Sequence, residues 1–140
     1  MKSSSYLWII LIFGFSLNCL GCLASPSPQE LESADYGLEP QKFEETIKAH
    51  MKASLFDPYS AVYEFKTPFK GYYNNPPVRG GRVVAFGYFV PVLINAKNRF
   101  GAYVGSKSYF FFFKNERLIG NCDKVGFGGA YYCREIIDAR

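Results

Sequence analysis

Apolar residues recur at every fourth position from Phe43 through Ile47 and Met51 to Leu55, the spacing of one buried helical face. Pro40 suits the first turn of such a helix, and Pro58 stops it at or before Asp57. Glu44 stands one turn before Lys48, which supports the same element. His50 lies beside the stripe and reads as a boundary histidine. Farther along, the period changes to two. Residues 61–66 alternate as a half-buried strand does. Residues 82–94 are β-rich, but Pro91 has no N–H to give to a ladder, so an edge or a bulge is expected there. In residues 108–114, Tyr109 is followed by Phe110, Phe111, Phe112 and Phe113, and alternation sends these rings to both faces of a central, doubly covered strand. Asn115 and Glu116 read as a tight turn into residues 117–119, and a short element over 131–137 ends the pattern. Residues 70–81, with paired asparagines, prolines and glycines, read as a loop. The fold class expected is α+β: one N-terminal helix packed on an antiparallel sheet of about four strands, with a single disulfide.

Ahead of the helix the pattern is of another kind. Lys2 precedes an apolar run over residues 6–15, and small residues follow near Gly21 and Cys22. Residues 3–25 are uncharged and long enough in principle to span a bilayer, but the strongly apolar part is shorter and lies at the extreme N-terminus. Residues 1–22 therefore read as a signal peptide of the lipoprotein type. Leu20, Gly21 and Cys22 resemble the end of a bacterial lipobox, whose cysteine is diacylated, although Cys19 stands where that pattern usually has leucine. Cleavage after Ala24 is the alternative and would release a soluble periplasmic or secreted protein. The stretch that follows is rich in Pro, Ser and Glu and cannot pack a core. Residues 23–39 are thus expected to form a flexible linker, and residues 40–140 a single domain. The expected location is the cell envelope, anchored in a membrane through two acyl chains at Cys22 and facing the periplasm or the exterior.

Charge refines this division. The 140-residue chain has a formal net charge of +4, but residues 23–45 hold six carboxylates and one lysine, while residues 46–140 hold 14 cations and six carboxylates. A basic body with an acidic approach can attract nucleic acid, anionic glycans or lipid head groups, or it can simply keep a domain soluble. Export and the lack of a recognition motif argue against nucleic acid. Aromatic residues make up 19% of the chain, which favours packed β structure.

Little in the chain suits catalysis. Outside the leader, the two cysteines, Cys122 and Cys133, bracket a Gly-rich loop and read as a disulfide in an oxidising compartment. A metal site is the rival reading, but neither cysteine has a close Cys or His neighbour. The lone histidine leaves no nucleophile–base pair, and the carboxylates of the strand region do not converge in sequence. Residues 101–108 invite comparison with a phosphate-binding loop. They fail on spacing, since Ser106 intrudes before Lys107, and on context, since a strand follows. The chain is expected to be no enzyme, to need no cofactor and to hold no metal.

One connection stands out. Residues 94–105 join two strong strands and combine cations, amides, rings and glycines. Either the asparagines bond an irregular backbone while Phe100 plugs the core, or the segment is a docking surface. The candidate binding residues are Asn95, Lys97, Asn98, Arg99, Tyr103 and Lys107. With the stretch from Leu55 to Tyr63, which contains Asp57, Pro58, Ser60 and Ala61, the connection resembles a group of small bacterial exported proteins and lipoproteins. That group shares a D-P-x-S-A motif and an N-A-K-N-x-F-G-x-Y-x-G motif. The resemblance implies export and one compact domain, and carries over no catalytic residue. The function expected is that of a non-enzymatic, lipid-anchored envelope protein binding another envelope component, a protein or an anionic glycan, through a basic, aromatic surface. An inhibitor or immunity-type protein blocking a secreted enzyme through residues 70–81 or 126–129 is the first alternative. A periplasmic small-molecule carrier is the second.

Overall fold

The computed structural model describes residues 25–124 and 131–136. Among these, α1 (Pro28–Ser33) and α2 (Phe43–Lys52) precede six strands: β1 (Val62–Phe65), β2 (Phe69–Asn74), β3 (Val83–Asn95), β4 (Lys107–Lys114), β5 (Arg117–Lys124) and β6 (Tyr131–Ile136). Helix on antiparallel sheet is the architecture, as the periodicity implies. No described helix is long and apolar enough to cross a membrane.

β3 organises the sheet. On one side it pairs with β4, from Tyr88 opposite Phe113 to Ile94 opposite Lys107. On the other side β1 and β2 lie end to end, β1 against residues 92–95 and β2 against residues 83–89. Pro91 falls where the two meet. Its carbonyl accepts the Lys66 N–H at 2.9 Å, and the amide proton it lacks would have pointed to the same interrupted edge. The expected irregularity is therefore real, and it sits inside the longest strand. β4, β5 and β6 follow as an antiparallel meander, and Tyr73 of β2 pairs in parallel with Tyr131 of β6. That contact closes β2 to β6 into a ring of strands.

The ring has two apolar layers. On its outer face Ile47 and Met51 of α2 pack on Tyr88, Val90, Val92 and Ile94 of β3 and on Phe111 and Phe113 of β4. Inside, Phe89 and Phe112 are fully buried with Tyr73 and Cys122, and Phe110 and Tyr131 pack against them. The Phe89 and Tyr131 rings stack at 4.2 Å, and the Tyr73 ring meets Phe112 edge-on at 4.9 Å. Burial pushes the phenols of Tyr73 and Tyr131 up from their ordinary range. The phenylalanine run thus divides between the layers by strand alternation. Gly71 and Gly87 face each other across β2 and β3. A Cβ at Gly71 would come within 2.6 Å of the Phe89 ring, and one at Gly87 within 2.6 Å of the Phe112 ring and against the Phe113 carbonyl. Both glycines make room for rings.

Several expectations need correction. The sheet has six strands where about four were expected, and one of them, β2, includes residues 70–74 of the supposed loop. Tyr72 and Tyr73 favour a strand, but Lys70, Gly71 and the Asn and Pro residues that follow do not, and the antiparallel pairing with β3 supplies the order. The rest of that segment is a turn in which buried Asn74 donates through Nδ2 to the Gly81 carbonyl at 3.0 Å. α2 begins at Phe43 and not at Pro40, and ends before Leu55. Leu55 still reaches the core because its N–H bonds the Met51 carbonyl at 2.9 Å in the turn that follows. α2 is also preceded by α1, inside the segment read as a tether. Ser27 caps α1, accepting the Glu30 N–H while the Glu30 carboxylate accepts the Ser27 N–H at 2.7 Å, and α1 buries nothing. The next residues dock. Tyr36 meets the Phe86 ring edge-on, Asp35 pairs with Lys114 at 3.3 Å, and the Leu38 N–H donates to Asn115 Oδ1. Asn115 and Glu116 both have positive φ, which identifies the expected tight β4–β5 turn.

Cys122 and Cys133 are directly opposed on β5 and β6 and form the disulfide. Cys22 and residues 126–129 lie outside the described residues.

Candidate functional site

β3 and β4 both extend past the ring, and the connection between them forms one end of the molecule. Its conformation is set by Asn98. The Asn98 side-chain oxygen accepts the N–H groups of Phe100 at 2.9 Å and Ala102 at 3.2 Å. The Asn98 N–H donates to the Ala102 carbonyl at 2.9 Å, and the Gly101 N–H returns to the Asn98 carbonyl. Gly101 has φ +77°, a left-handed conformation that a side chain would strain. Lys97 and Tyr103 face each other as a bridge at the base of this loop.

The loop is also tied to a second segment. Pro58–Ser60 form a 3-10 turn whose preceding residue, Asp57, accepts the Ser60 N–H through its carboxylate. Ser60 then receives the Lys97 N–H on its hydroxyl at 2.9 Å and the Tyr103 hydroxyl on its carbonyl at 3.0 Å. The two sequence motifs, far apart in the chain, are therefore hydrogen-bonded partners.

Of the two positions open to Phe100, this arrangement excludes the core. Phe100 is 78% exposed at the tip of the loop, with the Arg99 guanidinium 4.7 Å from its ring centre. The reason is geometric: Asn98 turns the backbone back on itself before the ring can reach the apolar layers. Phe56, Val62 and Val104 are exposed at the same end. Lys97 lies over the Tyr103 ring at 5.7 Å, and Lys52 lies over the Tyr59 ring at 5.4 Å.

The loop divides two concavities. On the face that deeper in becomes the ring interior, a cleft of about 390 Å³ has Val62, Glu64, Leu93 and Asn95 as its floor and Tyr103 and Ser106 as its wall. On the helix side a groove of about 220 Å³ is lined by Leu55, Phe56, Lys97, Val104, Lys107 and Tyr109, among others. All six candidate residues thus belong to one end of the molecule, with different positions. Asn95 and Tyr103 face the cleft, Lys97, Asn98 and Lys107 the groove, and Arg99 the tip. Asn98 is a structural staple, since its oxygen is spent on the backbone. The Asn95 side-chain oxygen is buried beside the cleft and has no hydrogen-bond partner among the described residues.

Sequence reasoning missed Ser60, Phe56 and Val62 as members of this surface and left Phe100 open between core and surface. The Asp57–Ser60 motif was the available signal, but nothing in it says what Ser60 touches. The segment after Gly105 continues directly into β4, so the context for a phosphate-binding loop is lacking there.

No family model, curated protein or solved structure matches this chain.

Proposed function

We propose that the protein is a non-enzymatic envelope protein, lipid-anchored at Cys22, that docks onto another, anionic component of the envelope through the β3–β4 end. The observation that carries this reading is Phe100 held in solvent beside Arg99 by the Asn98 staple. An exposed ring in a loop that is already ordered presents an anchor without the entropy cost of fixing it on contact. Lys97 and Lys107 flank it, and residues 95–108 contain no carboxylate. The deciding experiment uses a Cys22→Ser background, which removes the lipid anchor, and compares that protein with its Lys97→Ala/Arg99→Ala variant for retention on envelope fractions across a salt series. Attraction to an anionic partner is screened as the Debye length falls from about 10 Å to about 3 Å between 0.1 and 1 M salt. The variant is expected to be released at lower salt with its fold intact. Equal retention at every salt concentration rules the reading out. The anchor is checked separately: labelled fatty acid should enter the wild type and not Cys22→Ser.

A second reading, small-molecule binding, is favoured by the cleft and by the unsatisfied Asn95 oxygen in its floor. Fluorescence or calorimetric screening of polar ligands against Asn95→Ala tests it. The aromatic strands themselves are not the carrier surface in this reading, because Phe89 and Phe112 fill the space between them.

A further inference from the structure

We infer that the occupant of the β3–β4 tip is the anionic phospholipid surface of an envelope membrane, an assignment that rests on the docking role proposed for this end. Phe100 and Val104 enter the boundary between headgroups and acyl chains, while Lys97, Arg99 and Lys107 meet lipid phosphates.

Charge is the first reason. Lys97, Arg99 and Lys107 occupy residues 95–108 with no acid among them. Among the described residues none of the three forms an ion pair, and Glu64 pairs with Lys66 instead. The second reason is the kind of apolar group exposed. Phe56 is 73% and Val104 60% accessible beside Phe100, so rings and aliphatic side chains share one protruding rim with cations. That combination suits the interface, where apolar side chains penetrate about 5–10 Å and cations stay at headgroup level. A sugar would instead require free polar side chains around the ring. The Asn98 side-chain oxygen, which could accept from a sugar hydroxyl, already accepts two backbone N–H groups.

Reach is the third. Asp35 docks beside Lys114, at the opposite end of β4 from Lys107. The two ends are about 23 Å apart along the strand, at about 3.3 Å per residue. With α1 helical, residues 22–35 could reach about 30 Å if the segments on either side of it were fully extended. A chain held at Cys22 can therefore lay its tip on the membrane that anchors it.

The chain has one tryptophan, Trp8. In a Trp8→Phe, Cys22→Ser background, Phe100→Trp therefore reports the tip alone, whatever the leader does. With vesicles of equimolar phosphatidylglycerol and phosphatidylcholine, the emission of this residue should shift to the blue and become shielded from aqueous quencher. Pure phosphatidylcholine should give neither change. Adding Lys97→Ala and Arg99→Ala should weaken the anionic response about fivefold per cation removed. Val104→Trp, on the same rim, is the second reporter should a tryptophan at position 100 disturb the loop. Reporters that stay in water on both vesicle types overturn the lipid assignment. If the charge-pair variant in the Cys22→Ser background still leaves envelope fractions at lower salt, docking through the tip stands with a protein or glycan as occupant. If it does not, both readings fall.

Discussion

The Ser60 hydroxyl accepts the Lys97 amide N–H at 2.9 Å, across 37 residues of sequence. The same hydroxyl donates to the Asp57 carbonyl at 2.8 Å, so it is used twice. With the Tyr103 hydroxyl on its carbonyl, Ser60 fixes the base of the β3–β4 connection to the turn that follows α2. The exposed tip is rigid because its base is clamped and its loop is stapled.

Replacing Ser60 by alanine removes the acceptor for the Lys97 N–H and the donor to Asp57 at a part-buried site. A loss of about 1–2 kcal/mol is expected, read as a lower denaturant midpoint with an unchanged slope. Amide exchange at Lys97 should accelerate more than exchange in the ring strands. A Ser60→Ala variant as stable as wild type would show that the clamp contributes nothing.

Phe100 and Phe112 should respond oppositely to truncation. Phe100→Ala removes an exposed ring and should change stability by less than about 0.5 kcal/mol. Phe112→Ala empties the interior between Tyr73 and Phe89 and should cost about 3–5 kcal/mol. Thermal unfolding of the two variants side by side is the measurement. A large loss at Phe100 would mean that the ring is packed in solution.

The disulfide joins the last two strands of the ring. Reduction should lower stability by about 3 kcal/mol, as expected for closing a short loop in the chain-entropy model. Intact mass after alkylation without reduction should show Cys122 and Cys133 unmodified. Alkylation of both in protein taken from the envelope would contradict the pairing.

Docking of the segment ahead of α2 should depend on acid. The Gly37 N–H, first, and Lys114, second, hold the Asp35 carboxyl below its ordinary value. A depressed folded value means that the contribution is present above the ordinary aspartate value, about 3.9, and is lost as pH falls through the lower folded one. Amide exchange at Gly37 and Leu38, corrected for intrinsic rates, should therefore show weakening protection below about pH 4. Asp35→Asn should produce the same weakening at neutral pH. The global midpoint should move little, since Asp35 is exposed.

Local pattern was sufficient for much of the fold. The apolar stripe of Phe43, Ile47 and Met51 located α2, and the run Phe110–Phe113 could only be a strand covered on both faces. Pro91 announced an irregular partner, which β1 and β2 supply by meeting opposite it. β2 was hidden because Gly71 and the Asn and Pro residues after Tyr73 mask the strand preference of its aromatic residues, and pairing with β3 overrides them. At the candidate site, the cations and asparagines were visible as a group, but their division between cleft, groove and tip was not.

Composition and periodicity by themselves determined which residues prefer burial, which segments are helical or extended, and which two cysteines outside the leader can pair. These follow from side-chain chemistry and from spacings of two or about 3.6 residues along the chain. The tertiary structure decided that the strands close through Tyr73 and Tyr131, that Ser60 meets Lys97 and Tyr103, and that Phe100 faces water. Each of these joins groups far apart in sequence or depends on how one side chain, that of Asn98, folds the backbone. A ring carries the same apolar signal in a core or on a rim, and only the path of the chain around it distinguishes the two.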